Sequence, residues 1–230
     1  MNFPAARGKL ARAMLKWIKI FFAMLLLPIC VGAVPAIFKV LRATGRADAF
    51  WVALLGGAAC WVSIFLLLPK PMRVYVFGHE LTHVIWTWVF GGKVKKFKAS
   101  AKGGHVIVTK NNFVIALAPY FFPLYGIAVV LCFVIGHLLW NWAEYVVWFH
   151  FFLGAAYAFH VTLTVHILRT EQSDITSQGY FFSAVVIFLG NISTLLVGLP
   201  LLTAQVSLLT ALGWWMQETA GVLFRLKHLI

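Results

Sequence analysis

Apolar runs long enough to cross a bilayer recur along the whole chain, and they constrain the fold more than any other feature. Backbone placed in hydrocarbon must satisfy its own hydrogen bonds, so such runs fold as helices. Six are visible, at about 20–38, 49–68, 72–90, 113–136, 145–168 and 180–203. A seventh, about 205–224, holds Gln217, Glu218 and the pair Trp214 and Trp215, and either spans or lies in the interface. Composition agrees: the 230 residues are 62% hydrophobic and 11% charged, where a soluble domain needs more charged surface. The expected fold is an all-α polytopic membrane protein of about six transmembrane or re-entrant helices, with a possible seventh. It forms one membrane-embedded domain over 1–230, with N-terminal helices in 1–68 and C-terminal helices in 181–230.

The formal net charge is +13, from 19 Lys and Arg against 6 Asp and Glu. The basic residues sit mainly between apolar runs, as cytoplasmic loops and anionic lipid contacts require. No soluble segment interleaves basic and aromatic residues, so the lipid bilayer is the expected partner and nucleic acid is not. Cys30, Cys60 and Cys132 each lie inside an apolar run without CxxC spacing, which points to packing.

The stretch "GGKVKKFKASAKGGHVIVTKNN" breaks the helical pattern. Short alternation on either side of "AKGG" predicts a β-hairpin. Lys93, Lys95, Lys96, Lys98, Lys102 and Lys110 make it the best cytoplasmic loop. Lys39, Arg42, Arg46 and Arg169 then fall inside as well, and Lys70 and Arg73 outside. The cluster Arg7, Lys9, Arg12, Lys16 and Lys19 joins the inside set only if the first segment dips into the membrane, bent at Pro28 and Pro35. The positive-inside rule favours that dip over a span. The same N-terminus has the look of a signal peptide; an uncleaved anchor or re-entrant segment is the expectation.

Within the third run stands "HELTH", an H-E-x-x-H motif. On a helix His79 and His83, at i and i+4, share one face and can hold one Zn²⁺ together. Glu80 sits about 100° round the helix from His79, within reach of a water held by the metal, as a general base requires. Random placement in this composition would produce the motif only about 0.005 times per chain. Ionisable groups in a membrane helix cost on the order of 2.5–3.5 kcal/mol each, so they are usually functional. The bland alternative is three polar side chains hydrogen-bonded to neighbouring helices.

Zinc sites of this kind take three protein ligands and leave a position for water. Asp174, in "RTEQSDITSQGYFFS", is the first candidate for the third, because chain tracing returns it to the hairpin side. Its alternative role is a helix N-cap. His166, near the inner end of the fifth run, is the competing ligand, while His150 and His160 read as core residues and His105 as solvated.

"GHELTHVIWTWVFGGKVKKFKAS" followed by "VIALAPYFFPLYGIAVV" resembles the catalytic core of the site-2 protease family of intramembrane zinc metalloproteases. In that family the motif helix leads into a GG turn, a membrane-dipping hairpin and a helix opening with an Ala-Gly-Pro-like motif. "ALAP", Ala116 to Pro119, matches that last motif without its Gly. The family's second motif, an Asn-Pro-rich run ending in Leu-Asp-Gly, is replaced here by "QSDITSQG", with Asp174 in the Asp position and Gly179 displaced. The resemblance covers about residues 72–180 and implies a compact, divergent member without a PDZ insert. It further implies a Zn²⁺ cofactor held by His79, His83 and Asp174, with Glu80 as catalytic base and membrane-protein substrates. The expected location is a bacterial plasma (inner) membrane, with the site opening toward the cytoplasm. The rivals are a non-proteolytic membrane scaffold that keeps the metal, and a zinc hydrolase acting on a lipid or small amide. Pro119 and Pro123 are expected to kink the fourth run beside the site, or to serve packing alone.

Overall fold

The computed structural model of the protein describes residues 3–101 and 103–228. Lys102 lies outside the described residues, as do the side chains of Arg7, Lys9 and Arg12. The chain is 80% helical, with one small antiparallel sheet. In order, the elements are α1 (Phe3–Thr44), α2 (Asp48–Leu67), α3 (Met72–Val89), β1 (Val94–Ser100), β2 (Gly103–Val108), α4 (Phe113–Leu117), α5 (Leu124–Trp140), α6 (Val146–Ile167), α7 (Ser173–Gln178), α8 (Tyr180–Thr203) and α9 (Leu208–Lys227). They form two compact units, Gly45–Glu171 and Met1–Thr44 with Gln172–Ile230.

Among the described residues, four helices are long and apolar enough to cross a membrane: Ala13–Thr44, Asp48–Leu67, Trp142–Ile167 and Tyr180–Thr203. Counting the bent pair Phe113–Tyr120 and Leu124–Trp140 as one span makes five. This is fewer than the six or seven expected. The third and seventh runs do form helices, of 18 and 20 residues, so length is not the reason. Polarity is: α3 carries Arg73, His79, Glu80 and His83, and α9 carries Gln217, Glu218, Arg225 and Lys227. The first run, expected to dip, is a continuous helix through both Pro28 and Pro35. The fourth run is bent by 78°, with Pro119 in a 3-10 turn and Pro123 at the N-cap of α5. A proline N-cap gives up an N–H that the first turn of a helix would leave unpaired anyway.

In the unit Gly45–Glu171, α2 packs along α6. Lipid tails are as apolar as Leu, so helices here associate by close backbone approach at small residues. Gly57 and Gly154 provide it. A Cβ on Gly57 would lie 1.8 Å from the Phe151 carbonyl oxygen, and one on Gly154 would lie 1.9 Å from that of Leu54. A polar tie, Trp61 Nε1–H to Thr162 Oγ1 at 2.9 Å, joins the same two helices. Next to them α3 buries Tyr75 and Val76 against Leu163 of α6.

The hairpin expected after α3 is present. Gly91, in the left-handed region at φ 68°, turns the chain out of the helix, and the Gly92 N–H donates to the Thr87 carbonyl at 2.8 Å. The register pairs Phe97 with Val106, Lys98 with His105 and Ala99 with Gly104. Phe97 meets Phe77 of α3 edge-on at 5.8 Å. Strand alternation therefore turns Phe97, Ala99, Gly104 and Val106 toward α3, and Lys96, Lys98 and His105 away from it.

In the other unit α1 packs on α8 and α9. Ala23 and Cys30 meet Phe182 and Val185 in its core. Gly32 lies against Thr219, and Lys39 pairs with Glu218 at 2.7 Å. All three cysteines are free.

Candidate metal centre

The i, i+4 spacing in α3 does what helix geometry dictates. His79 and His83 stack on one face, ring centroids 5.0 Å apart and nearly perpendicular. His79 also meets the edge of Tyr120 at 5.3 Å, from the 3-10 turn around Pro119. Both histidines are half-buried, and Glu80 between them is buried at 7% exposure.

One contact decides the chemistry of His83. Its Nδ1 lies 2.8 Å from the Ile115 carbonyl oxygen of α4. A carbonyl can only accept, so Nδ1 carries a proton, and in the neutral imidazole the lone pair is on Nε2. Metal-bound histidines are commonly oriented in this way, the second nitrogen donating to a carbonyl or carboxylate. The orienting carbonyl is held in turn: Asn112 is the N-cap of α4, its side chain accepting the Ile115 N–H at 2.9 Å.

Asp174 stands in the first turn of α7, where a carboxylate suits the helix dipole. The N-cap of α7 is Gln172, without a side-chain cap bond, so Asp174 is not the cap that "SDIT" suggested. His79 and His83 are two ligand-capable side chains on one face of α3, while Asp174 belongs to the unit of α1, α7, α8 and α9. Imidazole nitrogens and a carboxylate are a donor set that divalent zinc accepts. His166 lies in the last turn of α6 against the ring of Phe65, at 6.3 Å. His150 packs against Phe50, and His105 is exposed on β2. His160 is buried, as expected of a core residue, and with His79, Thr82 and Tyr125 lines a cavity of about 20 Å³.

The hairpin reaches the centre through a residue that sequence reasoning passed over. A Cβ on Gly104 would lie 2.6 Å from Glu80 Cγ, 2.8 Å from Glu80 Oε1 and 2.7 Å from the Lys98 carbonyl oxygen. The backbone of β2 thus rests directly on the Glu80 side chain. Gly78 has a related role: a Cβ there would meet the Tyr125 ring at 2.6 Å, and the Tyr125 hydroxyl donates to the Val74 carbonyl. The only sequence signal for either was a glycine beside the motif or in the hairpin, which ordinary turn chemistry also explains.

No family model, curated protein or solved structure matches the chain.

Proposed function

We propose that the chain is a membrane-embedded, zinc-dependent protease that hydrolyses peptide bonds in or near transmembrane segments of other membrane proteins. The observation that carries this is the pair His79 and His83 on one face of α3, together with buried Glu80, one residue from His79 on the same helix. Holding a metal needs no Glu80; hydrolysis does. The site-2 protease resemblance of the motif helix, the GG turn and the hairpin supports the same reading, and the basic hairpin favours a cytoplasmic opening of the site.

His79 and His83 offer ring nitrogens, and the site-2 protease resemblance assigns the third ligand to the Asp174 carboxylate. Zinc bound there supplies Lewis acidity toward the scissile carbonyl and makes water a stronger nucleophile at neutral pH. The Glu80 carboxylate takes the proton of the attacking water and delivers it to the leaving amine. The Nδ1–H of His83, bound to the Ile115 carbonyl, keeps that ring from rotating. A helical substrate hides its carbonyls in its own hydrogen bonds and must unwind before attack. The hairpin offers an edge along which an extended segment can pair by strand addition.

The test compares membrane-protein fragments in cells carrying the wild type and Glu80→Gln. Fragments that vanish in the variant name the substrate; an unchanged fragment set overturns protease activity and leaves a scaffold or a lipid hydrolase. Zinc content separates the metal from the chemistry. Glu80→Gln is expected to keep zinc at wild-type affinity. Asp174→Ala is expected to weaken it by at least about 100-fold in chelator competition; wild-type affinity there removes Asp174 from the ligand set.

A further inference from the structure

A lysine on an apolar helix asks for a reason. Lys19 is half-buried and lies inside Ala13–Thr44, a stretch apolar enough to span a membrane. Its ammonium donates to Gln178 Oε1 at 2.7 Å and to the Ser177 carbonyl oxygen at 3.3 Å. Both acceptors belong to the last turn of α7, the short helix whose first turn carries Asp174.

A helix of six residues cannot hold itself. Its last carbonyls have no partner within the helix, and its C-terminal end carries partial negative charge. Three features secure α7. Ile175 is buried at 8% exposure. The Ile175 carbonyl accepts the Gly179 N–H at 2.8 Å and the hydroxyl of buried Ser183 at 3.3 Å. Lys19 closes the far end, giving the Ser177 carbonyl a charged donor and placing a cation at the negative end of the helix. The Gly179 and Ser183 ties come from residues directly after α7, whereas Lys19 reaches in from α1, 159 residues from Gln178.

We propose that Lys19 is a positioning residue for Asp174: it fixes α7 against α1 and thereby sets where the Asp174 carboxylate stands within that unit. The inference rests on the metal reading above. Lys19 touches no ligand itself and acts through the backbone of α7. A cation kept only for membrane topology has no need of these two acceptors, and Lys16, one turn earlier and exposed, serves topology equally well.

The test uses the full-length protein in lipid nanodiscs, with two readouts: amide hydrogen exchange of α7, and zinc affinity by chelator competition. Lys19→Met is expected to speed exchange of the α7 amides by about tenfold, leave α3 and α8 at wild-type rates, and weaken zinc binding by about 10- to 100-fold. Lys19→Arg, which keeps charge and donors, restores both readouts, and Lys16→Met changes neither. Wild-type α7 exchange in Lys19→Met overturns the clasp. Faster α7 exchange with unchanged zinc affinity overturns the positioning role. A wild-type protein that takes up no zinc overturns the metal reading by itself, and α7 exchange still decides whether the clasp exists.

Discussion

Two glycine-dependent contacts in the same unit put the smallest residue to opposite uses. Between α2 and α6, Gly57 and Gly154 face carbonyl oxygens of the opposing helix, less than 2 Å from where a Cβ would stand. In the hairpin and α3, Gly104 and Gly78 face side chains, those of Glu80 and Tyr125. The first contact is backbone on backbone, and nothing there can yield without separating the helices. The second is backbone or helix face against side chains that rotate, with the Lys98 carbonyl of the paired strand also beside Gly104. A membrane protein gains little from hydrophobic exclusion between its helices, so close approach supplies the packing. Around α3 the same lack of side chain leaves room for a carboxylate instead. The α2–α6 contact is thus about stability, and the hairpin contact about the geometry of one group.

The sharpest separation of the two comes from Glu80→Gln. It keeps the volume beside Gly104 and removes the proposed base, so the proposed cleavage is expected to fall by about 10²- to 10⁴-fold with the unfolding temperature unchanged. A large drop in unfolding temperature would mean that Glu80 is a packing group like those of α2 and α6. Next in size, Gly154→Val drives a side chain into the Leu54 carbonyl. It is expected to cost about 3 kcal/mol of stability, read as a lower midpoint in denaturant or heat, while the folded fraction keeps its zinc affinity. Weakened zinc binding in that folded fraction would show that the two contacts are coupled. Smallest is Gly104→Ala. One methyl displaces Glu80 or parts β2 from Lys98, and turnover is expected to fall about tenfold, or roughly 1.4 kcal/mol in the barrier, with zinc content and unfolding temperature near wild type. Full activity in Gly104→Ala would show that the hairpin backbone does not set the position of Glu80.

Much of this molecule is readable from one dimension. Apolar runs locate every long helix, including α9. Period-two alternation and the glycines around residue 103 locate the hairpin. Spacing puts His79 and His83 on one face. The departures have physical causes. Counting runs overestimates spans, because α3 keeps helical length while its polar residues take it below the apolarity of a membrane helix. The prolines mislead in both directions. Pro28 and Pro35 sit inside a continuous helix, whereas Pro119 and Pro123 accompany a 78° bend. A proline's sequence does not say whether surrounding helices re-satisfy the backbone or let it turn.

The sequence alone determined the chemistry on offer: two imidazoles and a carboxylate at helical spacing, in a chain too apolar for water. Local periodicity suffices for that, because residues three and four apart must share a helix face whatever the rest of the chain does. Only the tertiary structure decided how those groups are held. Ile115 sets the tautomer of His83 across 32 residues, Gly104 rests on Glu80, and Lys19 reaches the end of α7 across 159 residues. Each is a contact between distant segments, made by a backbone carbonyl, a missing Cβ or one isolated side-chain pair, and none of these leaves a periodic trace in the sequence.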